Sequence, residues 1–165
     1  MVKSGDRIRA AVNVLEAEDG VMNAVKIGGV EYVKKTGSNA PGFEVSIDPM
    51  GAVRMTQRGK YVKGTAQRYL QYKTLIALEA RKHFKEPMEG PIEVKVVFFV
   101  KPPKKMPKGR TEPTVKPDID NMIKGIFDAL NKIAWKDDAQ VISVISQKHY
   151  NDEPHIRVIA EPYSA

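Results

Sequence analysis

The stretch Ile92-Glu93-Val94-Lys95-Val96-Val97-Phe98-Phe99-Val100 decides the architecture. Ile92, Val94, Val96, Phe98 and Val100 alternate with Glu93, Lys95, Val97 and Phe99, the period-2 pattern of a β-strand. The first half reads as half-buried. The second half is apolar at every position and reads as buried on both faces, as in the interior of a sheet. Upstream, Pro87 and Gly90 separate this strand from a predicted helix that Thr65 caps and that runs to about Phe84. Ala66, Tyr69, Leu70, Ile76, Ala77, Ala80 and Phe84 recur at helical spacing and form its buried face. Earlier still, Phe43, Val45 and Ile47 alternate with Glu44, Ser46 and Asp48 as a strand. Downstream, residues 101–117 hold five prolines and form a long loop, of the kind that is usually functional or mobile in a compact domain. Ile119, Met122, Ile123, Ile126, Phe127 and Leu130 fit one face of a second helix that stops near Asn131. Val141 to Lys148 and Ile156 to Ala160 are two further strands, joined through Asn151-Asp152-Glu153-Pro154. The order β-α-β-α-β-β predicts an α+β domain with a single mixed sheet and two helices.

Residues 1–42 read as a small N-terminal extension to a main domain over 43–165. Ile8 to Glu18 is a candidate short helix. Met22 to Lys35 is a candidate hairpin turning at Gly28-Gly29, and residues 35–42 have linker composition. The 165 residues carry no cysteine, which excludes disulfides, thiolate metal sites and cysteine nucleophiles. The longest apolar run near the middle, Val96 to Val100, is far too short to span a bilayer. The N-terminus lacks the apolar region of a signal peptide. The expectation is a cytoplasmic protein with no membrane partner.

Twenty-seven Lys and Arg against 20 Asp and Glu give a net charge of +7, which favours a polyanionic partner. The surplus is local. No acid lies between Asp48 and Glu79, a stretch with Arg54, Arg58, Lys60, Lys63, Arg68 and Lys73. A second stretch holds Lys101, Lys104, Lys105, Lys108, Arg110 and Lys116, broken only by Glu112. Two such segments either line a groove for a phosphodiester backbone or form solvated loops.

The chemistry concentrates in Lys116-Pro117-Asp118-Ile119-Asp120-Asn121-Met122-Ile123-Lys124 and in Trp135-Lys136-Asp137-Asp138-Ala139-Gln140. In an extended approach to a helix, residues i and i+2 point the same way. Asp118 and Asp120 then reach one point while Ile119 anchors the segment in the core. Lys124, four residues on, projects over the same helical face. If the last two strands flank the central one, an Asp of the 137–138 pair returns to the first two. Converging carboxylates repel one another unless a hard cation lies between them, and Mg²⁺ or Mn²⁺ suits oxygen ligands. Carboxylate-held Mg²⁺ suits phosphodiester hydrolysis, with Lys124 placed to stabilise growing negative charge. The bland alternative stays open: Asp118 or Asp120 caps the helix, and Asp137-Asp138 are turn residues.

Taken together, Pro117-Asp118-Ile119-Asp120-Asn121-x-x-Lys124, Phe127-Asp128-Ala129-Leu130-Asn131 and Trp135-x-Asp137-Asp138-Ala139-Gln140-Val141 resemble the signature of the RusA family, Holliday junction resolvases of bacteria and their phages. The match covers 117–141, and the element order from Phe43 to Pro162 fits the rest. The resemblance implies a RusA-like fold and a homodimer that binds four-way DNA junctions. Such a dimer cuts two opposed strands symmetrically with Mg²⁺ or Mn²⁺ during recombination and repair. It implies Asp118, Asp120 and Asp138 as essential metal-binding carboxylates and Lys124 as the catalytic lysine. Phosphate contacts are then expected from Arg54, Arg58, Lys60, Lys63, Lys104, Lys105, Lys108, Arg110 and Lys116. Phe127 falls where the family can carry an aromatic near the junction; its spacing with Ile123 and Leu130 equally suits the core. Pro117 stands where the family often has a basic residue, and residues 1–42 have no counterpart in its short members. The rival reading is a non-catalytic module that binds branched DNA in a phage recombination system.

Overall fold

A computed structural model describes residues 24–27, 30–33, 41–56 and 64–164. Two short strands, β1 (Ala24–Ile27) and β2 (Val30–Val33), pair antiparallel with Ile27 opposite Val30, as the hairpin reading expected. The candidate helix at 8–18 lies outside the described residues. The main sheet contains β3 (Gly42–Val45), β4 (Ile92–Val100), β5 (Val141–Tyr150) and β6 (His155–Pro162) in the order β3-β6-β4-β5. β4 runs antiparallel to β6 and parallel to β5, and β3 pairs antiparallel with β6. The sheet is therefore mixed, and the last two strands do flank the central one.

Alternation in β4 sorts its side chains. Ile92, Val94, Val96 and Phe98 are fully buried and join Ile156, Val158 and Ala160 of β6 in the principal core. Val97 and Phe99 face the other way and are buried as well. Phe99 stacks on His155 with centroids 4.1 Å apart and lies beneath the Arg157 guanidinium. Burial on both faces is what the unbroken apolar run from Val96 implied.

Two helices complete the core: α1 (Gly64–Ala80) and α2 (Ile119–Leu130). α1 ends four residues earlier than the periodicity predicted. Its last turn tightens, with Lys82 N–H donating to Glu79 O and His83 N–H to Ala80 O, yet Phe84 stays buried in the core. Its buried row is Ala66, Tyr69, Tyr72, Ile76 and Ala80. Tyr72 takes the place expected for Leu70 and Ala77, which are only half-buried. α2 buries Met122, Gly125, Ile126, Ala129 and Leu130. At Gly125 α2 lies close to its neighbours: a Cβ there would lie 3.4 Å from Met50 O and 3.6 Å from the rings of Tyr69 and Tyr72. Asn121, one turn earlier, exchanges two bonds with Ala52, Ala52 N–H to Asn121 O at 2.9 Å and Asn121 Nδ2 to Ala52 O at 3.2 Å. These two positions seat the loop that follows β3 against α2. No helix among the described residues is long and apolar enough to cross a membrane.

Trp135 closes the far end of the core. It is fully buried, edge-on to Phe127 at 5.4 Å. Trp135→Ala is expected to cost about 3–5 kcal/mol through the cavity it leaves. Urea unfolding would show this as a lower midpoint with an unchanged slope, and a midpoint like that of the parent would remove Trp135 from the list of core anchors.

Candidate active site

The proline-rich loop 101–117 leads into α2 through a cis Lys116–Pro117 peptide. Asp118 is the N-cap residue, with extended backbone at φ −74° and ψ 143°, and its side chain makes no capping bond. Asp120 sits in the first turn. Both are exposed and line one open hollow of about 930 Å³. Lys116 and Glu112 border it from the loop, and Gln147, Lys148 and His149 border it from the end of β5. Neither carboxylate has a hydrogen-bond or ion-pair partner among the described residues. The helix-capping alternative is thus not what occupies Asp118. Two unpaired carboxylates, a helix N-terminus and open access to solvent make a donor set that suits Mg²⁺. That ion is commonly held by one or two carboxylates while waters and substrate phosphate fill the remaining positions.

Asp138 does not line that hollow. Lys148 Nζ, donating to the carbonyls of Val115 at 2.7 Å and Pro117 at 2.9 Å, places Asp118 against the C-terminal end of β5. Asp138 opens a short 3-10 turn just ahead of β5. That turn is tied by Gln140 Nε2 to the carbonyls of Met88 and Gly90, before the start of β4. The step from Val141 to Lys148 alone spans roughly 23 Å at about 3.3 Å per residue. Among the described residues, no group of three or more His, Cys, Asp or Glu is arranged to hold a metal. The expectation that 118, 120 and 138 converge within one chain is therefore corrected. Flanking β4 brings β5 beside it in register but leaves Asp138 at the opposite end. Its neighbour Asp137 is a turn residue, completing a capping box with Ala139 N–H and Gln140.

Lys124 also differs from expectation. It shares a helical row with Asp120, but its Nζ lies 3.7 Å from Asp128 Oδ1, one turn further along, and it does not line the hollow. Asp128 in turn accepts from the Tyr69 hydroxyl at 2.9 Å. Burial, reinforced by the hydrogen bond and charge of Asp128, pushes the Tyr69 phenol well above its ordinary value of 10.0. Tyr69 and Asp128 were not singled out from the sequence. The i, i+4 spacing of Lys124 and Asp128 is the signal that marks the pair.

A second hollow of about 440 Å³ shares Val115 and Lys116 with the first. Lys101, Lys105, Arg110 and Lys116 line it, with Asp48 as the acid among them. Part of the second basic stretch therefore converges beside the carboxylates. Lys104 and Lys108 are exposed on the same loop without lining the hollow, and Arg54 is exposed after β3. Arg58, Lys60 and Lys63 lie outside the described residues. Phe127 is half-buried against Trp135.

A mixed sheet that presents free carboxylates next to a cationic hollow has the makings of an enzyme that cuts phosphodiesters. A family model described as endodeoxyribonuclease RusA matches residues 46–161, and the chain belongs to that family of nucleases. It is 34% identical over 128 residues to the uncharacterized protein YqaN of Bacillus subtilis (strain 168), covering 71% of this chain and 88% of that one. It is 29% identical over 119 residues to the crossover junction endodeoxyribonuclease rusA of Lactococcus phage r1t, covering 67% and 88%.

The Tyr69–Asp128 contact makes a pH prediction. A phenol whose folded value is raised contributes stability that is complete below pH about 10 and is lost as the pH climbs toward that folded value. Asp128→Asn removes the negative charge that opposes the phenolate and supplies an amide that can donate to it. Difference titration at the phenolate absorbance, with the matching Tyr69→Phe protein as the blank, is expected to show Tyr69 ionising at lower pH than in the parent. Burial should still hold it above an exposed tyrosine. An unmoved titration would mean that the carboxylate does not act on the phenol.

Proposed function

We propose that the chain is a divalent-metal-dependent endodeoxyribonuclease that resolves four-way DNA junctions as a homodimer, by paired symmetric nicks. Residues 43–165 form the nuclease domain in this reading, and residues 1–42 an extension to it. The observation that carries it is the pair of unpartnered carboxylates, Asp118 and Asp120, in a hollow that shares a wall with a cluster of four cationic side chains. The name of the phage relative points the same way.

Asp118 and Asp120 hold Mg²⁺, with Mn²⁺ able to replace it. When bound, such an ion neutralises charge growing on the phosphate oxygens and favours ionisation of a nearby water. The remaining work falls to the chain. Lys116, on the shared wall, and Lys101, Lys105 and Arg110 beyond it grip the phosphate next to the one being cut. Contacts of this type fix register on the backbone without reading bases, so affinity follows junction shape. Lys104, Lys108 and Arg54 extend the grip along the arms, and so do Arg58, Lys60 and Lys63. Lys124, beside Asp128, supplies a positive charge along the same helix face and orients toward the phosphate when DNA arrives. The cut leaves a 5′-phosphate and a 3′-hydroxyl.

Asp138 enters through the dimer. A two-fold axis presents the same surfaces of both subunits to each other. The Asp138 end of one copy then completes the Asp118–Asp120 end of its partner. A two-fold pair of sites also matches the two equivalent strands of a four-way junction.

Asp120→Asn is expected to abolish cutting in Mg²⁺ while junction binding stays equal or tightens, because a charge facing the DNA is gone. Gel-shift and strand-mapping assays on four-way, forked and linear duplexes check this; cleavage of linear duplex at the junction rate would refute the resolvase reading. Binding with and without chelator but nicking in neither condition would favour the non-catalytic module. The subunit arrangement has its own test. Asp120→Asn and Asp138→Asn proteins, each inactive alone, regain single-strand nicking when mixed and allowed to exchange. In the heterodimer one site has all three carboxylates. No recovery would return Asp138 to a role within its own subunit.

A further inference from the structure

We propose that Lys148 is a positioning residue of the active site, pinning the loop that delivers Asp118 to the end of β5, with Glu112 and His149 as a second anchor on the same loop. The need for anchors follows from the loop's composition. Pro102, Pro103, Pro107, Pro113 and Pro117 have no backbone N–H to donate. Within 101–117 the main-chain bonds among the described residues are Arg110 N–H to Pro107 O and Thr114 N–H to Glu112 O, both local turns within the loop. The segment just before α2 is held to the sheet through side chains instead. Lys148 Nζ donates to the carbonyls of Val115 and Pro117, at 2.7 and 2.9 Å. Pro117 O belongs to the residue directly before Asp118. These charge-assisted bonds fix the backbone on which the first carboxylate is mounted.

The neighbouring residue of β5 meets the same loop through a longer contact. His149 Nδ1 lies 3.5 Å from Glu112 Oε2, and its Nε2 is 2.9 Å from Gln147 Oε1. Glu112 is the one acid in the basic loop, and it is the loop residue that approaches His149. The His149 ring also packs against Phe99 at 6.1 Å, which connects the anchor to the central strand. Lys148 and His149 face the hollow that holds Asp118 and Asp120. Both bonds of Lys148 go to carbonyls of the loop, and this is the route by which it acts on Asp118.

Its effect on metal binding rests on the reading given under Proposed function; its effect on the loop does not. Two measurements on the full chain separate them. Hydrogen exchange of residues 111–122 without metal is expected to speed up about tenfold in Lys148→Met, the change expected on losing a charge-assisted bond, while exchange in β4 and β6 stays as in the parent. Lys148→Arg, which can still donate to both carbonyls, restores most of the protection. Glu112→Gln, at an exposed position that leaves the fold intact, loosens the same segment on its own and covers the case in which Lys148→Met does not fold. Mn²⁺ titration followed by electron paramagnetic resonance, without DNA, should require about tenfold more metal in Lys148→Met. Parent-like exchange over 111–122 in both Lys148→Met and Glu112→Gln would overturn the anchoring role. Equal or tighter Mn²⁺ binding in Lys148→Met would show that the lysine acts as a competing charge and not as a positioning group. A parent protein that binds no Mn²⁺ would instead defeat the metal reading, leaving the exchange result to decide on Lys148.

Discussion

The parallel pairing of β4 with β5 governs the placement of everything else. Two parallel neighbours cannot be joined by a tight turn; the chain must leave one end of the sheet, cross over and re-enter at the other. Here the crossover is the proline-rich loop followed by α2 and the turn at Asp138–Gln140. Asp118 and Asp120 stand where the crossover begins its helix, level with the C-terminal end of β5. Asp138 stands where the chain comes back, ahead of the first residue of β5. One topological requirement thus gathers two carboxylates and sends the third to the far edge. The basic hollow follows from the same geometry, since the loop has to run from Val100 past the mouth of the site to reach Pro117.

Packing then seats the crossover on the core. α2 gives one face to the core through Met122, Ile126 and Leu130, and Gly125 lets Met50 and the stacked Tyr69 and Tyr72 rings approach closely. Asn121, inside the acidic motif, spends its side chain on the loop after β3 and not on chemistry. Gly51 belongs to the same junction, because a Cβ there would sit 2.5 Å from Asn121 Nδ2. Residues that look catalytic by their position in the motif therefore divide by direction. Asp118 and Asp120 look outward, while Asn121 and Gly125 join two parts of the fold.

Local pattern made much of this legible. The alternation of Ile92 to Val100 marks the central strand, the apolar spacing from Ile119 to Leu130 marks α2, and Gly28-Gly29 lies between two strands that pair as a hairpin. The shared hollow of Asp118 and Asp120 is also a local matter of spacing. The distance from either of them to Asp138 is not local. It depends on how long β5 runs and in which direction, and a linear motif that places all three within two dozen residues hides that. The contact of Lys124 is equally hidden: Asp120 and Asp128 are both four residues away, and the Tyr69 hydroxyl on the other helix shows which of them is held in place. Lys148 carried no visible signal, because its partners are carbonyl groups, which no sequence pattern displays.

The same short helix carries the solvent-facing row Asp120, Lys124 and Asp128 and the core-facing row Met122, Ile126 and Ala129, interleaved along 12 residues. Changes to the first row touch almost none of the packing supplied by the second. Selection for thermal robustness alone is accordingly blind to Asp120 and Lys124, though not to Asp128, whose carboxylate satisfies the buried Tyr69 hydroxyl: a gene could accumulate lesions at the first two positions and still yield a well-folded product.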